Sequence, residues 1–180
     1  MSYIGYFRYV LQFTPFLILR NTRLGSGTSC VVIPVSGLYF LALALKYSFF
    51  FKKILLLDLG GYDILQTSTT LVAPACCPIM WYLFKNNIGY KYFIFALNPG
   101  GKKQTPSIEL LYRNARWLER EASEFFGFFF SGKADRRVLF TIPLFYNTPF
   151  RRKYPAIGFY EIFFCPLLKK LKFKHVSLQI

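Results

Sequence analysis

One apolar stripe constrains this chain more than any other feature. Ile108, Leu111, Ala115, Leu118, Ala122 and Phe125 recur at intervals of 3, 4, 3, 4 and 3 residues. An α-helix turns every 3.6 residues, so this spacing puts all six on one face. Pro106 suits a first helical turn, Thr105 is a possible cap, and Gly127 is a plausible C-terminal stop. The spacing therefore predicts a helix over 106–126. Arg116, Glu119, Arg120 and Glu124 lie off the stripe. Arg120 and Glu124 form an attractive i,i+4 pair, and Arg116 and Arg120 a repulsive one. Each such pair is worth only a few tenths of a kcal/mol, about 0.2–0.5, so they tune the helix without making it.

A helix with a single apolar face needs a second layer to cover it. Candidate strands are present. Lys52 to Asp63 holds Ile-Leu-Leu-Leu-Asp-Leu and reads as a short buried strand ending in a turn at Gly60-Gly61. Met80–Lys85 and Tyr90–Leu97 are aromatic and β-branched, and Asn86 to Gly89 between them carries hairpin-turn residues. Residues 66–78 and Asn98–Pro106 read as connections. Phe128 to Phe130 leads into a basic turn at Lys133 to Arg137, with further strand candidates at Val138–Ile142 and Phe159–Phe164. The expected class is α+β, a two-layer domain of helices packed on a mixed sheet. Residues 46–165 form that domain, between a divergent N-terminal extension (1–45) and a basic C-terminal tail (166–180).

The extension raises the question of a membrane span. Residues 24–45 contain no charge and are flanked by Arg23 and Lys46. A polar, glycine-containing start and the breaks at Pro34 and Gly37 leave an apolar run of only about 15 residues, short of the roughly 20 a spanning helix needs. A buried helix or a strand–turn–helix fits it better. No secretory signal or presequence is evident at the N-terminus.

Composition narrows the chemistry. The 180 residues carry one histidine, His175, in a lysine-rich tail, which leaves little room for metal binding or acid–base catalysis at neutral pH. Cys30, Cys76, Cys77 and Cys165 make neither a C-x-x-C nor an iron–sulfur spacing and read as buried thiols in a reducing compartment. Gly25-Ser26-Gly27-Thr28 lacks the lysine and spacing of a phosphate loop, and Cys30 stands where a dinucleotide fingerprint needs its third glycine. A net charge of +15 beside 54% hydrophobic residues points to a chain that works against nucleic acid, an anionic membrane or neighbouring proteins. Phe, Tyr, Ile, Leu, Lys and Asn are enriched together, as an AT-biased organellar genome would produce.

The stretch from Ala115 to Tyr160 names a family. Trp117, Glu119, Arg120, Glu121, Glu124, Phe126 and Gly127 stand in order on the predicted helix. Arg136, Arg137 and Leu139 follow, then Pro149, Arg151, Arg152, Pro155 and Gly158. This pattern resembles the small matrix-arm subunits of respiratory complex I, called NADH dehydrogenase subunit 9 in mitochondrial genomes, and is similar to the C subunit of the bacterial NADH-quinone oxidoreductase. That family carries a W-x-E-R-E-x-x-D-x-F-G helix, an L-R-R-I-L segment and a P-x-R-K-D-F-P-x-x-G-Y block. Glu124 replaces the family's Asp, Thr148 its His, and Lys153 its Asp. The segment before Arg136 is one residue short and lacks a His-Pro.

The resemblance implies a core but non-catalytic subunit of proton-pumping NADH:ubiquinone oxidoreductase. It would lie on the matrix side of the mitochondrial inner membrane, organelle-encoded, beside the large subunit that lines the quinone site. It implies no catalytic, cofactor or metal residue in this chain, since FMN and iron–sulfur clusters belong to other subunits. The motif residues then become candidate contacts with neighbouring subunits: the Glu-Arg-Glu face with Trp117, and the basic turns Lys133 to Arg137 and Arg151 to Lys153. Read residue by residue, Trp117 could equally sit in the core and the basic turns in solvent. The alternatives are an organellar ribosomal or other RNA-binding protein, for which the charge speaks, and an integral membrane protein. The basic residues are scattered: 15 of 23 lie after residue 100 with six of the eight acids, giving about +9 there and about +6 before it. No RNA motif accompanies them, so nucleic acid is not the expected partner.

Overall fold

Alternating side chains organise the central sheet. The computed structural model describes residues 20–23, 28–47, 54–63, 78–87, 89–98, 104–141 and 147–177. Its elements are β1 (Arg20–Arg23), β2 (Thr28–Pro34), a short 3-10 turn (Val35–Gly37) and α1 (Leu38–Tyr47). Then come β3 (Leu55–Asp63), β4 (Pro78–Lys85), β5 (Lys91–Leu97) and β6 (Thr105–Pro106). The chain ends with α2 (Ala115–Phe126), β7 (Phe130–Ser131), β8 (Tyr160–Cys165) and β9 (Lys170–His175). The main sheet has the order β1-β2-β5-β4-β3, parallel between β2 and β5 and antiparallel elsewhere. The register lines up Val31, Ile94, Tyr82 and Leu59 in one row across four strands. All four are buried, together with Leu38, Leu41 and Leu45 of α1 and Ala115 and Ala122 of α2. One face of a mixed sheet under helices is the α+β architecture expected from the sequence.

Residues 20–23 and 28–45, read from the sequence as part of an extension, supply two strands and, with Lys46 and Tyr47, a helix packed on this same sheet. The uncharged 24–45 stretch resolves, over its described residues from Thr28, into strand, 3-10 turn and helix, broken at Pro34 and Gly37. The ten residues of α1 span about 15 Å, half of a bilayer core. Among the described residues no helix is long and apolar enough to cross a membrane.

Four local expectations are corrected. The helix begins at Ala115, not Pro106. Thr105 and Pro106 instead pair in parallel with Phe130 and Ser131, and Ile108 to Asn114 form successive turns. The stripe survives in part: these turns still bury Ile108 and Leu111, but Phe126 replaces Phe125 against the core. Secondly, Gly60-Gly61 is not a turn, since β3 runs through it to Asp63. A Cβ on Gly61 would lie 2.6 Å from the Phe126 ring, and one on Gly60 2.6 Å from the Trp81 ring, so both glycines serve close packing. Thirdly, Val138 to Thr141 are not a strand, because the amides of Leu139 to Thr141 turn to a carboxylate of α2; Ile142 lies outside the described residues. Lastly, Lys170–His175, expected as tail, pairs as strand β9 with β8, and the hairpin is exposed. The loop expected at 66–78 lies outside the described residues except for Pro78, which opens β4. Cys76, Cys77 and Gly25 to Gly27 also lie outside them.

Candidate subunit interface around helix α2

Three segments are tied to α2 by its own side chains. Glu119 faces inward, fully buried. Its carboxylate accepts from the Ser107 hydroxyl at 2.7 Å and the Ile108 amide at 2.8 Å. The Lys133 ammonium, also buried, stands 3.8 Å away. This grip on Ser107 and Ile108 folds the preceding turn back onto the helix, which is why the helix cannot extend to Pro106. Burial raises the Glu119 carboxyl above its ordinary range, with Ser107, Ile108 and Lys133 pulling the other way.

Arg120 is also buried. Its Nε donates to the Arg137 carbonyl at 2.8 Å and its Nη2 to the Val138 carbonyl at 3.2 Å. Asp135 gathers Arg137 at 2.8 Å, Arg116 at 3.3 Å and Arg120 at 3.6 Å. The hydrogen-bonded Arg137 guanidinium holds the Asp135 carboxyl well below the usual range. The Arg116–Arg120 repulsion foreseen from the sequence is thereby offset by a shared carboxylate. Glu124 does not pair with Arg120. Its oxygens receive the amides of Leu139 (2.9 Å), Phe140 (3.1 Å) and Thr141. Burial would raise this carboxyl, but Thr141 and these amides together lower it.

The helix ends at Gly127, whose φ of 73° is left-handed. Arg151 donates Nε to the Phe126 carbonyl at 2.6 Å, placing a cation on the negative end of the helix. The Arg152 amide reaches Asp63 at 3.1 Å. The third block of the motif is therefore clamped between the end of α2 and the end of β3. Phe125 stacks with Phe150 at 4.4 Å and with Phe140 at 5.8 Å, and both partners are more than half exposed.

The candidate contact residues now divide. Glu119, Arg120 and Lys133 are internal and are withdrawn from the interface face; they set the geometry behind it. Trp117 lies outward under the Arg120 guanidinium, 5.0 Å from its ring. Glu121, Phe126, Pro149, Arg151 and Gly158 are half-buried. Arg136, Arg137, Arg152, Lys153 and Pro155 are exposed. Sequence reasoning missed Asp135, Ser107 and Asn114. Asn114, whose Nδ2 donates to the Leu56 carbonyl at 2.5 Å, stands just before Ala115, where a capping residue type was visible. Among the described residues no group of three metal-ligating side chains converges.

Comparison with known proteins gives this constellation a family. The profile described as respiratory-chain NADH dehydrogenase, 30 Kd subunit, matches residues 41–160. NADH-ubiquinone oxidoreductase subunit 9 of Paramecium primaurelia is 32% identical over 164 residues, covering 86% of this chain and 75% of the relative. The C subunit of NADH-quinone oxidoreductase from Phenylobacterium zucineum is 37% identical over 72 residues, 40% of this chain and 34% of its own length. The match thus spans most of the Paramecium relative but about a third of the bacterial one. Two solved structures share the fold. A chain of an archaeal membrane-bound sulfane sulfur reductase has a TM-score of 0.69 at 16% identity, covering 87% of this chain and 88% of the other. The trypsin-resistant fragment (1-134) of Nqo5 has a TM-score of 0.56 at 21% identity, covering 75% and 99%. The family match runs from the middle of α1 to the start of β8 and takes in all of α2 and the blocks it clamps; the chain belongs to the family of the 30 Kd subunit of respiratory-chain NADH dehydrogenase.

Proposed function

We propose that this chain is a non-catalytic structural subunit of the matrix arm of proton-pumping NADH:ubiquinone oxidoreductase. It holds the arm together beside the large quinone-site subunit, on the matrix face of the mitochondrial inner membrane. It binds no flavin or cluster of its own and meets the membrane only through the complex. The name of the Paramecium relative, an NADH-ubiquinone oxidoreductase subunit, supports the respiratory setting, and the family match leaves the RNA-binding alternative without support.

The observation that carries the reading is the outward-facing surface that α2 builds. In the family's matched segment, buried charged side chains lock three loops into place, while Phe140, Phe150 and Ile157 stay more than half exposed beside Arg136, Arg137 and Arg152. Internal salt bridges support a rigid platform whose apolar and arginine side chains point away from their own core. Aromatic and arginine residues on a fixed scaffold are what protein interfaces use as anchors. The test is mass spectrometry of native respiratory complexes from the source organism. The chain is expected in an NADH-oxidising assembly, with the quinone-site subunit among its cross-linked neighbours. Its absence from every such assembly overturns the proposal.

A further inference from the structure

We propose that the groove between edge strand β3 and helix α2 receives a cationic side chain from a neighbouring subunit. The inference rests on the structural-subunit reading above and gives that surface a second, chemically distinct contact.

A chain with 23 lysines and arginines against eight carboxylates should leave few acids without a cation. Three of the eight have an ion pair among the described residues. Glu109 faces Arg116, Glu119 faces Lys133, and Asp135 faces three arginines. Glu124 and Asp63 are met by backbone amides from distant segments, and Glu161 lies across the hairpin from Lys174. Asp58, Glu121 and Glu161 have neither an ion pair nor an amide from a distant segment, and of these Asp58 and Glu121 stand together. Among the described residues Asp58 accepts only the amide of its neighbour Leu59, and Glu121 has no ion pair or hydrogen bond.

These two acids line the same groove. Its walls are Leu59, Trp81, Ala122, Phe125, Phe126 and Phe150, and its volume is about 220 Å³. Gly60 and Gly61 line its β3 side, with the Trp81 and Phe126 rings packed against them. The size decides the class of occupant. Small-molecule sites run to roughly 300–1,000 Å³, so this groove suits one long side chain better than a cofactor. The lining decides its chemistry. A hydrated metal ion wants about six to eight oxygens, which two carboxylates among aromatic rings do not supply. A lysine or arginine fits both halves: its charge meets Asp58 and Glu121, and its stem or guanidinium plane lies on Phe125 and Phe150. The +15 charge of this chain repels a second copy of itself, which favours a different protein as the donor.

The experiment is carboxylate labelling of the intact complex with carbodiimide and glycine ethyl ester, read by mass spectrometry. The proposal expects Asp58 and Glu121 to be protected in the complex and labelled once the chain is dissociated. Where the occupant is lysine, carbodiimide alone also yields an amide joining it to one of the two acids. The isosteric double variant D58N/E121Q should leave the complex about tenfold more readily in high salt, the scale of one partly desolvated ion pair. Full labelling of both acids in the intact complex overturns the groove contact and leaves the structural-subunit reading standing. Protection that persists in the dissociated chain also overturns it, because the cation would then belong to this chain. A chain found in no respiratory complex sinks both.

Discussion

At the scale of single residues, Glu119 and Lys133 form the costliest pair in the described structure. Both charges are withdrawn from water, and a buried pair is weak evidence of net stabilisation but severe to break from one side. The two sides are unequal. Glu119 holds two further donors, whereas the Lys133 ammonium has no hydrogen-bond partner among the described residues. Glu119→Ala strands that ammonium and two donors and should cost about 3–5 kcal/mol in urea denaturation. Lys133→Met leaves Glu119 with both donors and should cost about 1 kcal/mol. Equal losses would contradict this account. Burial also pushes the Lys133 ammonium down to about 8 from an ordinary value near 10.5, against the pull of Glu119. Between those values the unfolded chain binds more protons than the folded one. The Lys133 contribution to stability therefore rises with pH from about 8 to about 10.5 and then levels. Glu119 acts oppositely and at lower pH: its raised pKa means stability falls as pH climbs from its unfolded value through its folded one. The difference in melting temperature between wild type and Lys133→Met, followed by circular dichroism from neutral pH upward through the lysine titration, isolates the first effect.

At the scale of elements, α2 shows what its sequence could and could not disclose. Its apolar stripe and its stop at Gly127 were legible, because 3.6-residue periodicity and a left-handed terminal glycine are local properties. Its start was not. Whether Pro106 joins the helix or strand β6 depends on Phe130 and Ser131, and on Glu119 gripping Ser107; all are contacts between segments far apart in sequence. The same limit hid the interior roles of Glu119 and Arg120, since the helix periodicity placed them off the apolar stripe while Asp135 and Lys133 supplied polar partners beneath. Gly60-Gly61 misled for a related reason: a glycine pair signals a turn unless aromatic rings such as Trp81 and Phe126 need the space. The terminus of α2 can be tested by comparing two glycines with similar backbones. Gly127 and Gly132 have φ of 73° and 76°, but a Cβ would lie 2.8 Å from Thr148 Cγ2 at the first and meet nothing at the second. Gly132→Ala should cost only the left-handed backbone penalty, about 1–2 kcal/mol. Gly127→Ala should cost about 1 kcal/mol or more beyond that, because Thr148 must yield. Urea midpoints of the two variants give the comparison directly.

At the scale of the whole molecule, the sheet and the β8–β9 hairpin differ in what holds them. The sheet shares one core with both helices. The hairpin is exposed along its length, with Tyr160, Ile162 and Phe164 opposite His175, Phe173 and Leu171 on one face. Lys170, Lys172 and Lys174 occupy the other face with Glu161, Phe163 and Cys165. The sequence marked β8 as a strand and 169–175 as basic, but no local pattern says whether an apolar strand face is covered by its own domain. A two-stranded hairpin by itself is marginal in water, and segments with little burial open at low free-energy cost. Trypsin should therefore cut the isolated chain first at Lys169 to Lys174. Sites inside β4, β5 and α2 should resist until the sheet itself unfolds. In the assembled complex the order should change. A chain whose apolar hairpin face is buried against a neighbour gains protection there, and the lysine sites should be cut no faster than other exposed basic sites. Peptide mapping of timed digests, isolated chain against complex, measures both. Early cleavage inside β4, β5 or α2 of the isolated chain would show that the sheet, too, depends on its neighbours for stability.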